Sequence, residues 1–193
     1  MTDYREDIRS AVAVLRRGGI ILYPTDTVWG IGCDATNAEA VRKVFGIKHR
    51  TDSKALITLV GSLAQLERTV TGIPDVAYQL IEFSDRPLTI VYDGVAPHSG
   101  IASELLADDG SIGVRLTTEE FSRNLCLAFG KPIVSTSANI SGKPTASCFR
   151  DISPEIISLV DYVCTSRRDD FTPSRPSTVM RLSDDGLFKV LRP

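Results

Sequence analysis

Four groups of side chains in this sequence have the types and spacing to do chemistry. The first is Tyr23 to Ala35, YPTDTVWGIGCDA, where Thr25, Asp26 and Thr27 directly follow a short apolar run. Strand ends are where α/β folds place ligands, and small hydroxyls beside glycines let a ligand approach backbone N–H groups. The same residues also suit an ordinary Pro/Asp turn whose glycines supply positive φ. Gly30-x-Gly32-x-x-Ala35 imitates a dinucleotide fingerprint. A Rossmann turn needs its first glycine next to the strand, and Tyr23 to Trp29 intervene, so that reading is rejected.

The second group is basic: Arg42, Lys43, Lys48, Arg50 and Lys54, with Asp52 the one acid among them. Lys48 and Arg50 are two apart, so an extended backbone would turn both to one side. An arginine fork beside a lysine point charge suits a polyphosphate. A solvated face past a helix C-terminus, where cations complement the dipole, is the plain alternative. The third group, Ser135-Thr136-Ser137-Ala138-Asn139-Ile140-Ser141-Gly142, enters a polar loop after a short strand. It reads either as an anion nest or as an ordinary hydroxyl-stabilised turn. The fourth, Pro176-Ser177-Thr178-Val179 with the terminal Lys189 to Arg192, says little alone.

Other chemistries lack their residues. There is no GxxxxGK[ST], no GxSxG elbow and no HExxH. Two histidines, His49 and His98, exclude a multi-histidine metal site, and four scattered cysteines with no CxxC pair argue against structural zinc and a disulfide framework. Cys33 reads as a small buried thiol, and Asp108-Asp109 and Asp169-Asp170 as solvated pairs.

The 193 residues predict one domain, 1–193. A formal charge of −2 argues against a polybasic protein, so any nucleic-acid contact needs a local patch. With 42% hydrophobic and 24% charged residues the chain is ordinary for a globular protein. No apolar run approaches the roughly 18 residues that span a bilayer, and Met1 to Arg9 lacks a signal-peptide core. The expected place is the cytoplasm.

Elements that must position these groups can be read from pattern. Ile8, Val12, Val14 and Leu15 predict a helix stopped by Gly18-Gly19. Ile20 to Tyr23 predicts a buried strand ended by Pro24. Asn37 caps a helix with Val41, Val44 and Phe45 inward. Strands follow at 56–60, 88–92, 112–116 and 133–134, and helices at 74–83 and 119–129, with Gly130 as a stop. Ser153 and Pro154 open a short helix through Leu159. Late strands read at 162–164, 178–182 and 187–191. Strands and helices mix without strict βαβ alternation, so the expected fold is α/β, a twisted sheet of parallel and antiparallel strands with flanking helices. Ser166 to Pro176 has no apolar period and reads as a mobile loop or lid.

Taken in order, YPTDTVWGIGCDA, Lys48-x-Arg50, PIVSTSANISG, Ser177-Thr178-Val179 and the terminal Leu-Arg-Pro resemble the YrdC/TsaC family of threonylcarbamoyl-AMP synthases, in its short single-domain form, over about residues 8 to 192. The resemblance implies a twisted mixed sheet around a concave basic cavity. It implies that L-threonine, bicarbonate and ATP give threonylcarbamoyl-AMP and pyrophosphate, with Mg²⁺ on the phosphates. The product then passes to a transferase that modifies tRNA, and direct tRNA contact is a further implied partner. By matched position, Lys48 and Arg50 are the catalytic pair and bind ATP with Ser135, Ser137, Asn139 and Arg192, while Thr25, Thr27, Arg115 and Ser177 contact threonine or a phosphate. No protein nucleophile, resident metal or membrane is implied. The sequence departs from the family at Thr51 and Ala55, where prolines are usual, and at Ser84-Asp85-Arg86, where Trp-Pro-Gly is usual. A non-catalytic RNA-binding paralogue of the same fold is the competing expectation, and carbamoyl-adenylate chemistry of the hydrogenase-maturation type is a third, which usually sits in much longer chains.

Overall fold

In the computed structural model of the chain, residues 4–49, 56–172, 175–183 and 187–193 are described. Helix α1 (Arg5–Arg16) turns Ile8, Ala11, Val12 and Leu15 inward and ends where Gly18 adopts φ +76°. After it come β1 (Ile21–Tyr23), β2 (Gly30–Gly32) and α2 (Ala38–Ile47), whose Asn37 cap accepts from the Ala40 N–H at 3.1 Å. The middle of the chain holds β3 (Ile57–Val60), α3 (Leu63–Thr69), α4 (Asp75–Phe83), β4 (Leu88–Tyr92) and β5 (Ile112–Leu116). Helix α5 (Glu120–Phe129) stops at Gly130, in the left-handed region as a C-terminal glycine should be. Then follow β6 (Ile133–Ser137), α6 (Pro154–Ser158), β7 (Tyr162–Val163), β8 (Thr178–Leu182) and β9 (Phe188–Arg192).

Among the described residues nine strands form one sheet in the order β7-β1-β2-β6-β3-β5-β4-β8-β9. Three pairs are parallel (β1–β7, β3–β5, β4–β8) and five antiparallel, so the expected mixed α/β sheet with flanking helices is what forms. Helices α1 and α5 cover it together, with Tyr4 meeting the edge of Phe121 at 5.5 Å.

Three expectations change. Gly30 to Gly32, read as loop, is strand β2. Ser135, Thr136 and Ser137, read as a loop, complete strand β6. Helix α3, capped by Ser62, adds an element beyond those expected. The glycines of β2 are set by neighbours rather than by turn conformation. A Cβ on Gly32 would lie 2.6 Å from the Val134 carbonyl and 2.6 Å from the Tyr23 ring, whereas one on Gly30 would meet nothing nearer than Ser135 Oγ at 3.2 Å. Gly32→Ala must therefore push backbone aside. It is expected to cost about 2 kcal/mol, seen as a melting temperature lower by roughly 4–8 °C. Gly30→Ala should shift it far less, and equal shifts in the two variants would refute the steric account.

Candidate active site

Strand register builds the floor of the site. Across four strands Arg115 lies opposite Thr89, Thr89 opposite Val179, and Val179 opposite Arg192. Directly opposed residues share a face, so Arg115, Thr89 and Arg192 form one row. The row continues the other way through Leu59; one step along β6 is the pair Ile57 with Ser135, and one step further is Gly30 with Ser137. The result is a cavity of about 200 Å³. The hydroxyl residues Thr27, Ser135, Thr136, Ser137, Thr145 and Ser177 line it together with Arg115 and Arg192. A larger groove of about 850 Å³ between α1 and α5 is lined by Arg5, Arg9, Arg16, Glu120 and Asn124 beside apolar residues, but it holds none of the four residue groups singled out in the sequence; chemistry rather than size selects the smaller cavity.

Arg115 is the centre of this arrangement. It is 3% exposed. Its Nη2 lies 3.0 Å from Asp26 Oδ1, an ion pair out of hydrogen-bond alignment, and donates to Thr27 Oγ1 at 3.3 Å. Its Nε is buried and makes no hydrogen bond, a donor that an incoming anion would satisfy. Burial pushes the Asp26 carboxyl up, and Arg115 opposes that shift. Thr25 does not line the cavity. Its hydroxyl donates to the Val28 carbonyl at 2.7 Å and accepts from the Thr27 N–H at 3.1 Å, so it shapes the turn that presents Thr27.

Ser177 Oγ shares a 2.8 Å hydrogen bond with Thr89 Oγ1, and its carbonyl accepts from Arg192 Nε at 3.1 Å and Nη2 at 3.0 Å. Partial burial, with the Arg115 charge nearby, pulls the Arg192 pKa down. Two guanidiniums facing one small space is an arrangement that asks for an anion.

Lys48 lies elsewhere. The premise of an extended Lys48-x-Arg50 fails at its first residue: Lys48 ends α2 in the helical region, and His49 has φ +50°. Arg50 lies outside the described residues. Lys48 is 2% exposed. Its ammonium donates to the Ser137 carbonyl at 2.5 Å, to the Asn139 carbonyl, and to Asn139 Oδ1 at 3.1 Å. Asn139 Nδ2 in turn donates to the carbonyls of Ile140 and Lys143. Lys48 and Asn139 thus pin the loop that follows β6, just behind the cavity wall formed by Ser135 and Ser137.

The segment read as a lid is tied at its start. Asp7 accepts from the N–H groups of Thr165 and Ser166 and from the Tyr162 hydroxyl. Burial pushes the Asp7 carboxyl up, but these hydrogen bonds outweigh it and hold the pKa below the usual value. Arg168 donates to the carbonyls of Val163 and Cys164 and stacks on Phe149, which packs on Trp29. Of the residues expected at the site, Thr27, Arg115, Ser135, Ser137, Ser177 and Arg192 meet in the cavity. Thr25, Lys48 and Asn139 stand behind it. Ile57 and Thr145 line it and went unread, because an apolar strand residue and a lone threonine carry no chemical signature. Among the described residues, no helix is long and apolar enough to cross a membrane.

Comparison with known proteins bears on this architecture. The Sua5_yciO_yrdC family profile, described as "Telomere recombination", matches residues 13–193. A protein of Chromohalobacter salexigens named threonylcarbamoyl-AMP synthase is 35% identical over 187 residues, covering 94% of this chain and 96% of its own. E. coli YciO superposes with TM-score 0.81 at 26% identity, over 96% of this chain and 87% of that one. P. abyssi Sua5 in complex with L-threonine superposes with TM-score 0.83 at 28% identity, over 96% of this chain. This chain spans 53% of that longer protein. With profile, sequence and fold in agreement along nearly its whole length, the chain belongs to the Sua5/YciO/YrdC family.

Proposed function

We propose that the protein is a threonylcarbamoyl-AMP synthase, an enzyme that joins L-threonine, bicarbonate and ATP into threonylcarbamoyl-AMP with release of pyrophosphate. The observation that carries this reading is the Arg115 guanidinium, buried with an unpaired Nε at the floor of a hydroxyl-lined cavity. Relatives of matching length named for this activity support it, and the non-catalytic RNA-binding alternative has no comparable support.

In the proposed chemistry the threonine amine captures bicarbonate with loss of water, giving an N-carboxylate. One oxygen of that carboxylate attacks the α-phosphorus of ATP, and pyrophosphate leaves. No covalent intermediate with the protein is needed. Catalysis is positioning and charge stabilisation. Arg115 and Arg192 pair with the threonine carboxylate and the phosphates. Thr27, Ser135, Ser137 and Ser177 supply hydrogen bonds that fix their orientation. Thr25 shapes the threonine end, Lys48 and Asn139 hold the nucleotide loop, and Arg50 is assigned to the phosphates by motif. Mg²⁺ would enter with the triphosphate, and a lining of hydroxyl oxygens suits that hard ion. We place the enzyme in the cytoplasm, handing its product to a transferase acting on tRNA, with direct tRNA contact as a further partner.

The test is incubation of the purified protein with ATP, Mg²⁺, bicarbonate and labelled L-threonine. A labelled adenylate and pyrophosphate that both require bicarbonate are expected, with serine as the poor substrate. Protein that is folded and binds ATP yet gives no adenylate would overturn the assignment.

A further inference from the structure

The strongest arrangement outside the cavity joins three separate segments through one side chain. Arg167 follows β7 with φ +60°, a left-handed conformation that non-glycine residues adopt at a cost. The backbone just before it is fixed, because the Asp7 carboxylate of α1 accepts from the N–H groups of Thr165 and Ser166 at 3.0 and 2.7 Å. From that position the guanidinium spreads its donors three ways. Nη1 donates to the Thr25 carbonyl at 3.0 Å and pairs with Glu119 Oε1 at 3.1 Å, and Nη2 pairs with Asp170 Oδ2 at 2.8 Å. Its side chain is 28% exposed and does not line the cavity.

Thr25, Asp26 and Thr27 make the turn on which the orientation of Arg115 depends, since Nη2 of Arg115 touches both Asp26 and Thr27. The carbonyl that Arg167 grips immediately precedes Asp26. Glu119, the second partner, also caps α5 by accepting from the N–H groups of Phe121 and Ser122. A guanidinium can hold a carbonyl and two carboxylates at fixed angles, which an ammonium cannot do.

We infer that Arg167 is a positioning residue that locks the Thr25–Val28 turn against the cap of α5 and so aims the Arg115 guanidinium into the cavity. The inference deepens the proposed synthase reading and rests on it for its kinetic consequence. Arg167 touches no reacting atom. It transmits the anchor at Asp7 to the floor of the site, and the loop beginning at Ser166 serves as a brace there.

The test uses the full chain with Arg167→Met and Arg167→Lys. In Arg167→Met, amide exchange at Thr27, whose N–H is held by Thr25 Oγ1 at 3.1 Å, is expected to quicken about tenfold while the far strands β8 and β9 stay protected. The threonine KM is expected to rise about tenfold or more, because a displaced orienting group costs that much. The ATP KM should stay within about twofold. Arg167→Lys, which keeps charge and fold but not the fork, should recover less than half of the loss. Unchanged Thr27 exchange, or a threonine KM like that of the parent, overturns the inference, as does a uniform loss of stability with KM values intact. If the parent itself makes no threonylcarbamoyl-AMP, the functional reading fails, and Thr27 exchange still decides whether Arg167 holds the turn.

Discussion

Arg115→Met is expected to lose turnover and stability together, and Arg115→Lys to lose turnover alone. The first removes one member of a buried pair, Arg115 being 3% and Asp26 9% exposed at the side chain. Breaking such a pair leaves an uncompensated carboxylate, at a cost of about 3–5 kcal/mol. Asp26 can relieve part of that by taking up a proton, because burial already pushes its carboxyl up and the Arg115 charge is the largest influence opposing the shift. An acid whose folded pKa is raised contributes its stability below the unfolded pKa and loses it as pH rises through the folded one. Without Arg115 the folded pKa of Asp26 climbs further. The destabilisation should therefore be smaller near pH 5 than at pH 8, readable in urea titrations at the two values. Adding Asp26→Asn to Arg115→Met should recover most of the stability and none of the activity. Arg115→Lys keeps a charge beside Asp26 but loses Nε and the planar fork, and kcat/KM should fall at least about 100-fold with a near-parental melting temperature. Parental kcat/KM in Arg115→Lys would remove Arg115 from the site.

What was legible in the sequence follows the range of the forces involved. Caps and stops act within one turn of helix, so Asn37, Ser153 and Gly130 could be placed from neighbours alone. Buried strands such as β4 and β5 announce themselves as short apolar runs between turn residues. Strand β2 did not, because Gly-Ile-Gly offers a single apolar side chain and no alternation; Gly32 answers to the Tyr23 ring and the Val134 carbonyl, contacts that exist only after folding. The polar end of β6 read as loop for the opposite reason. Ser135 and Ser137 face the cavity, and the demands of a site overwrite the apolar alternation by which strands are recognised. The site itself was legible as a set of motifs but not as a geometry. Nothing local to Asp26 indicates that its partner is Arg115 on β5, and Arg167 stood in a stretch without any period. Lys48 is the clearest case. Its type and spacing point to phosphates, but its acceptors include the backbone carbonyls of Ser137 and Asn139, which leave no mark on the sequence.

That placement changes the outcome expected from Lys48→Ala. A lysine on a phosphate-binding rim could be truncated with the fold intact. Here Lys48 is 2% exposed, and its ammonium donates to the carbonyls of Ser137 and Asn139 and to Asn139 Oδ1. Its removal leaves half-buried acceptors on Ser137 and Asn139 short of a donor, each costing up to about 1–3 kcal/mol. Relaxation of the 138–143 loop toward water returns part of this, so a net loss of about 2–4 kcal/mol is expected, lowering the melting temperature by roughly 4–16 °C. The same relaxation displaces Ser137 from the cavity wall, so nucleotide affinity and turnover fall with stability. Ligand stabilisation separates the two effects. ATP at about 100 times its Kd should raise the parent's stability by about 2.7 kcal/mol, and this increment should vanish in Lys48→Ala even at temperatures where the variant is fully folded. A Lys48→Ala protein with the parental melting temperature and the full ATP increment would show that the clamp holds neither the loop nor the nucleotide.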